Sequence, residues 1–138
     1  MFRSLRLAAL LVIVAACARP AQGPPAIEGT WTVASAVLGG RTLPAAVFGN
    51  SPLVLVAGRY QFQTDSGEYR ILPDASPAAL DVIGRKGPNA GKTIPTIFTM
   101  QGDTLVIAYD LSATARPTTF TSEAGSRVFL ARYVRASK

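Results

Sequence analysis

A chain of 138 residues has room for one domain of ordinary size. Its 14 Lys and Arg against 8 Asp and Glu give a formal charge of +6, scattered along the chain and not gathered into the basic stripe that nucleic-acid binding calls for. There is no histidine and only one cysteine, which excludes an intrachain disulfide, a zinc site built from Cys and His, and any Ser-His or Cys-His dyad.

Residues 1–16 (MFRSLRLAALLVIVAA) begin with Arg3 and Arg6 and continue as an apolar run over 7–14, shorter than the roughly 20 residues a membrane span needs. That is the build of a secretory signal peptide. Val14-Ala15-Ala16-Cys17 resembles a bacterial lipobox, which implies diacylglyceryl transfer to the Cys17 sulfur, cleavage before Cys17, and acylation of the new amino group. An ordinary signal peptide followed by an incidental cysteine is the plainer reading. Loss of Arg3 and Arg6 takes the charge to about +4. Ala18 after the cysteine, where Asp would retain a lipoprotein at the inner membrane, implies an outer-membrane address in a Gram-negative cell. Residues 18–26 (ARPAQGPPA) read as an extended tether between lipid and domain.

From residue 27 onward short apolar or β-branched runs alternate with turn residues, and prolines at 44, 52, 73, 77, 88, 95 and 117 interrupt every candidate helical stripe. The first strand, 27–37 (IEGTWTVASAV), carries the chain's single tryptophan; Ile27, Gly29, Trp31 and Val33 share one face. Gly29 leaves space for another group to come close. The run ends at Gly39-Gly40, and 43–48 suggests one helical turn. Strands are expected at 52–57 and 59–64, then a hairpin turn at Asp65-Ser66-Gly67 and a return over 68–72. Further strands are expected at 77–84, 93–100, 104–109, 118–121 and 127–135, with a loop at 85–91. Eight to nine short strands joined in sequence suit an up-and-down barrel or a sandwich, and closure would require the last strand to pair with the first.

The order of motifs resembles a family of small, uncharacterised lipocalin-like bacterial domains, well represented in planctomycetes. The matching features are 27–31 (IEGTW), Gly40-Arg41, 77–81 (PAALD), 91–93 (GKT), 102–105 (GDTL), 116–120 (RPTTF) and a last strand ending in Arg135. The resemblance covers 27–135 and implies an all-β, lipocalin-like (calycin-type) antiparallel barrel of about 8 strands. It also implies a structural latch: Gly29 and Trp31 correspond to the lipocalin G-x-W motif, and Arg135, with Arg132 as second choice, would lay its guanidinium on the indole. Where the family usually has a glycine and an Ile-Tyr pair, this chain has Thr96-Ile97-Phe98. With the chain ending at Lys138, the helix that larger lipocalins lay against the barrel is not expected.

Few residues here suggest chemistry. The segment 87–93 (GPNAGKT) has the wrong glycine spacing for a phosphate-binding loop, and Pro95 opposes the helix such a loop needs. The basic group Arg85, Lys86 and Lys92 reads as a solvated loop. Asp65 and Glu68 flank the expected hairpin turn, where water screens them, and Asp81 and Asp103 sit at strand or turn positions where carboxylates bond backbone N–H groups. Arg116 either ties strand ends or orients an anionic ligand. The aromatic set Trp31, Phe48, Tyr60, Phe62, Tyr69, Phe98, Tyr109, Phe120, Phe129 and Tyr133 either lines a ligand cavity or fills it; Tyr60, Phe62, Tyr69, Phe98, Tyr109, Phe120 and Arg116 are the lining candidates. The expectation is a monomeric, exported, membrane-anchored lipoprotein that binds a small apolar or amphipathic molecule, with no metal, cofactor or catalytic group. The alternative is an envelope interaction or inhibitor-like protein with a filled barrel.

Overall fold

The computed structural model describes residues 23–137, so the signal segment, Cys17 and most of the tether lie outside the described residues. Nine strands form one antiparallel sheet: β1 (Gly29–Leu38), β2 (Arg41–Leu43), β3 (Leu53–Val56), β4 (Arg59–Phe62), β5 (Asp65–Leu72), β6 (Ala79–Lys86), β7 (Thr93–Gln101), β8 (Thr104–Asp110) and β9 (Val128–Arg135). From β3 to β9 each strand pairs with the next in sequence, and β9 returns to β1 from Trp31↔Arg135 to Leu38↔Phe129. The result is a closed eight-stranded up-and-down barrel of lipocalin-like architecture, with no free edge along its wall. The short β2 is an addition that the sequence did not announce. It exists because β1 is long: β3 pairs with it at Gly29–Trp31, and β2 occupies the remaining edge at Ala36–Leu38.

Strict alternation sends Trp31, Leu53, Leu55, Tyr60, Leu80, Val82, Ile94, Phe98, Leu105, Ile107, Ala131 and Tyr133 into one interior cluster. A bulge between Val33 and Ser35 shifts β1 by one residue, so that Ala36 again points inward. A second cluster, Ala79, Ile97 and Ala108, lies on the outer wall, with Leu72, Phe120, Val128 and Leu130 packed on it. Every ladder, both clusters and the closing contacts lie between Ile27 and Ala136, so a chain of residues 18–138 keeps all of them.

Two sequence expectations need correction. The hairpin turn lies at Gln63-Thr64, not at Asp65-Ser66-Gly67, since Phe62 already pairs with Asp65. Gly67 serves a different need: a Cβ there would lie 2.0 Å from the Ile83 carbonyl oxygen, beside a register shift in the β5–β6 ladder. The strand expected at 118–121 is also absent. β8 pairs fully with β9 from Thr104↔Val134 to Asp110↔Val128, which leaves no edge for another strand, and the intervening chain packs on the outer wall instead.

That outer segment starts from a carboxylate cap. Asp110, buried, accepts the backbone N–H groups of Ser112 (3.1 Å), Thr114 (3.0 Å) and Ala115 (2.8 Å) and the Ser112 hydroxyl. Burial alone would raise its pKa; the Ser112 side chain and the Ala115, Thr114 and Ser112 amides outweigh it and hold the carboxyl at about 2, against an ordinary 3.8. The unfolded chain therefore binds the proton first, and folded stability falls as pH drops between those values. We expect Asp110 to contribute about 2 kcal/mol above pH 4, a contribution lost by about pH 2. Urea titrations across that range check this, because Asp110→Asn should be destabilised at neutral pH and lose the part of the acid slope that Asp110 supplies.

Candidate functional site

The two ends of the barrel differ. At one end Trp31 is fully buried, its Nε1 donating to the Ile27 carbonyl at 2.9 Å. The Arg135 guanidinium carbon lies 4.3 Å from the indole centroid, and Arg135 Nη1 donates to the Glu28 carbonyl at 2.9 Å. Gly29 permits this approach: its φ is +140°, and a Cβ would lie 2.4 Å from Arg135 Nη1. The geometry brings Gly29, Trp31 and Arg135 together and leaves Arg132 out. Arg132 falls on the outward phase of β9, where it donates to Gln101 Oε1 at 3.0 Å, so it is not an alternative latch. Trp31, Leu105 and Phe98, all fully buried, fill the interior toward this end.

The other end opens onto a cavity of about 90 Å³. Its wall is made by inward residues of seven strands, β3 to β9, among them Leu53, Tyr60, Tyr69, Ile107, Tyr109 and Phe129. All four tyrosines of the chain, Tyr60, Tyr69, Tyr109 and Tyr133, line it. Around the mouth, Phe48 packs against Phe62 (6.2 Å between centroids) and Phe129 (6.1 Å), and Phe129 stacks on Tyr109 (5.7 Å). The 3-10 turn Ala45–Val47 delivers Phe48 to this position.

Two polar side chains join the aromatic wall. Asp65 opens β5 with its side chain on the inward phase shared with Gly67 and Tyr69, and Asn89 comes from the β6–β7 loop. Asn89 Nδ2 donates to Asp65 Oδ2 at 2.6 Å and its backbone N–H to Asp65 Oδ1 at 3.3 Å, which clamps the loop to the mouth. Deeper in, the Tyr109 and Tyr133 hydroxyls are 3.1 Å apart. The Tyr60 hydroxyl is buried and has no hydrogen-bond partner among the described residues. Burial, then the charge and side-chain contact of Asp65, pushes the Tyr60 phenol up; burial, then Tyr133, does the same to Tyr109; burial raises Tyr133 against an opposing bond from Tyr109. These phenols stay neutral across the physiological range.

Of the lining candidates drawn from sequence, Tyr60, Phe62, Tyr69 and Tyr109 line the cavity. Phe98 lies wholly within the filled half. Phe120 is on the outer wall. Arg116 is also outside the barrel interior: it donates to the Leu80 and Thr96 carbonyls (both 2.9 Å) and to Asp81 (2.6 Å), tying the β8–β9 segment to β6 and β7. Sequence reasoning missed Asp65 and Asn89 as site residues, because Asp-Ser-Gly and Gly-Pro-Asn are both strong turn signals. Among the described residues no cluster of three metal-binding side chains occurs and no helix is long and apolar enough to cross a membrane.

No protein-family model, no curated protein and no solved structure matches this chain.

Proposed function

We propose that the protein is an exported, lipid-anchored module of the lipocalin-like bacterial kind that takes a small apolar or amphipathic molecule into its barrel mouth, with Cys17 carrying the lipid. The carrying observation is the aromatic cavity at the end opposite the latch, with its few polar groups clustered rather than dispersed. Ligand sites of this kind are apolar hollows with a small number of placed polar atoms. At about 90 Å³ the space is below the roughly 300–1,000 Å³ of sites for drug-sized ligands, so the occupant is small or only partly enclosed.

A titration of residues 18–138 with 2-naphthol, followed by NMR of the tyrosine ring protons, tests the reading. Saturable shifts at Tyr60 and Tyr109 are expected, and Leu111→Trp, which fills the mouth, should abolish them. Absence of saturable shifts at millimolar probe would overturn it. For the anchor, the full chain expressed in an exporting bacterium should incorporate labelled palmitate and partition with membranes, and Cys17→Ser should do neither.

The filled half of the barrel favours a second reading, an envelope interaction protein with no small-molecule ligand: Trp31, Phe98 and Leu105 are fully buried at the latch end and line no part of the cavity. Failure of the naphthol titration would select it.

A further inference from the structure

We propose that the occupant of this cavity is an organic cation, a primary or secondary ammonium group carried on a short aryl or alkyl body. This rests on the ligand-binding reading above and adds the sign of the charge and the kind of donor.

The first observation is electrostatic. The chain as a whole is basic, with a formal charge of +6, yet no Lys or Arg lines the cavity among the described residues. Its one charged lining side chain is Asp65, an acid. A carboxylate ligand would meet that charge in a partly enclosed apolar space with no cation to offset it, whereas an ammonium would be attracted to it. Aromatic rings on the surrounding wall add to the same preference, because a ring face attracts a cation and is indifferent to a neutral alkane. Tyr60, Tyr109 and Phe129 supply such faces.

The second observation concerns hydrogen bonding. The Tyr60 hydroxyl, on a residue 7 % exposed, is buried beside this carboxylate, whose charge and side-chain contact add to burial in raising the phenol's pKa, and its oxygen has no hydrogen-bond partner among the described residues. Buried hydroxyls without partners are uncommon and costly; the phenol O–H has the Asp65 carboxylate beside it as an acceptor, which leaves the phenol oxygen's lone pairs for a ligand donor. Asp65 has spare capacity as well: each oxygen accepts once from Asn89, and an ionised carboxylate offers about four lone-pair sites. The complement to a phenol oxygen and a half-used carboxylate is a group with several N–H donors and a positive charge. A protonated primary or secondary amine has both. A quaternary ammonium has no N–H to give, and an alcohol has one donor and no charge. The Asn89 clamp holds the carboxylate at the mouth, so the ammonium would sit there with its apolar body directed at the tyrosines below.

The experiment compares three probes with one body, titrated by calorimetry at pH 7 into residues 18–138: 2-phenylethylamine, 2-phenylethanol and phenylacetate. The amine should bind about tenfold more tightly than the alcohol, the size of effect expected of a charge-assisted bond with cation–π support. Phenylacetate should bind most weakly. Asp65→Asn, whose amide oxygen still accepts from Asn89, should bring the amine down to near the alcohol's affinity and weaken the alcohol far less; a thermal melt checks that this variant is folded. Tyr60→Phe should weaken the amine more than the alcohol. Equal binding of amine and alcohol, no effect of Asp65→Asn, or preference for phenylacetate would overturn the cation while leaving the cavity reading intact. Binding of none of the three would overturn both.

Discussion

Trp31→Ala is expected to remove about 3–5 kcal/mol of folding stability, the usual cost of deleting a large buried aromatic ring. A domain of this size typically has about 5–15 kcal/mol in total, so the variant should be largely unfolded in low urea or at mildly raised temperature. The loss has three sources. The fully buried indole fills the closed end of the barrel, so its removal leaves a hollow between β1 and β9. The Ile27 carbonyl loses its buried donor. Arg135 loses the surface it lies on, although its bond to the Glu28 carbonyl remains. Trp31→Phe separates these contributions: it keeps most of the burial and a ring face, and loses the indole N–H. Its cost should be about 1–2 kcal/mol, the sum of one unmade hydrogen bond and a weaker cation–π contact. Urea unfolding followed by far-ultraviolet circular dichroism, which needs no tryptophan, measures all three proteins. A Trp31→Ala cost below 1 kcal/mol would mean that the barrel closes without the latch.

This end of the barrel was readable in the sequence because its parts are few and unusual. One tryptophan two residues after a glycine, in an alternating run, fixes which face of the first strand turns inward, and the structure keeps that face. The resemblance to lipocalin-like domains supplied Arg135 as the partner; composition alone would not have separated it from Arg132, three residues earlier. In the strand these two fall on opposite faces, so only one can meet the indole. The ligand end was less readable. Asp65 and Gly67 sit in a sequence that suits a turn, but Gly67 is required by the Ile83 carbonyl of the next strand, a contact between residues far apart in the chain. Phe120 and Arg116 carry strand-like or ligand-like signals, yet they are used on the outer wall, where the β8–β9 segment has to dock once both of its flanking strands are fully paired. Local pattern identifies which residues turn inward; it does not say which end of the barrel is packed solid.

Gly84→Ala should disturb both the fold and the site. Gly84 is buried on β6, in phase with Leu80 and Val82, beneath the loop that bends back across the mouth. Its carbonyl accepts the Gly91 N–H at 3.0 Å and its own N–H donates to Lys92 at 2.9 Å. A Cβ at this position would lie 1.9 Å from the Asn89 carbonyl oxygen and 2.4 Å from its carbon, both backbone atoms that cannot rotate away. The loop must therefore lift, at the roughly 1–3 kcal/mol that overpacking costs, and Asn89 then withdraws its two bonds from Asp65. Gly102→Ala is the control. Nothing lies within 4 Å of a Cβ there, and its cost comes from a φ of +61°, about 1–2 kcal/mol, far from the cavity. Both variants should have lower urea midpoints, but Gly84→Ala alone should weaken 2-phenylethylamine, since it alone frees the carboxylate from its clamp. If Gly102→Ala weakened the amine equally, the loss would track global stability and the Asn89 clamp would have no part in binding.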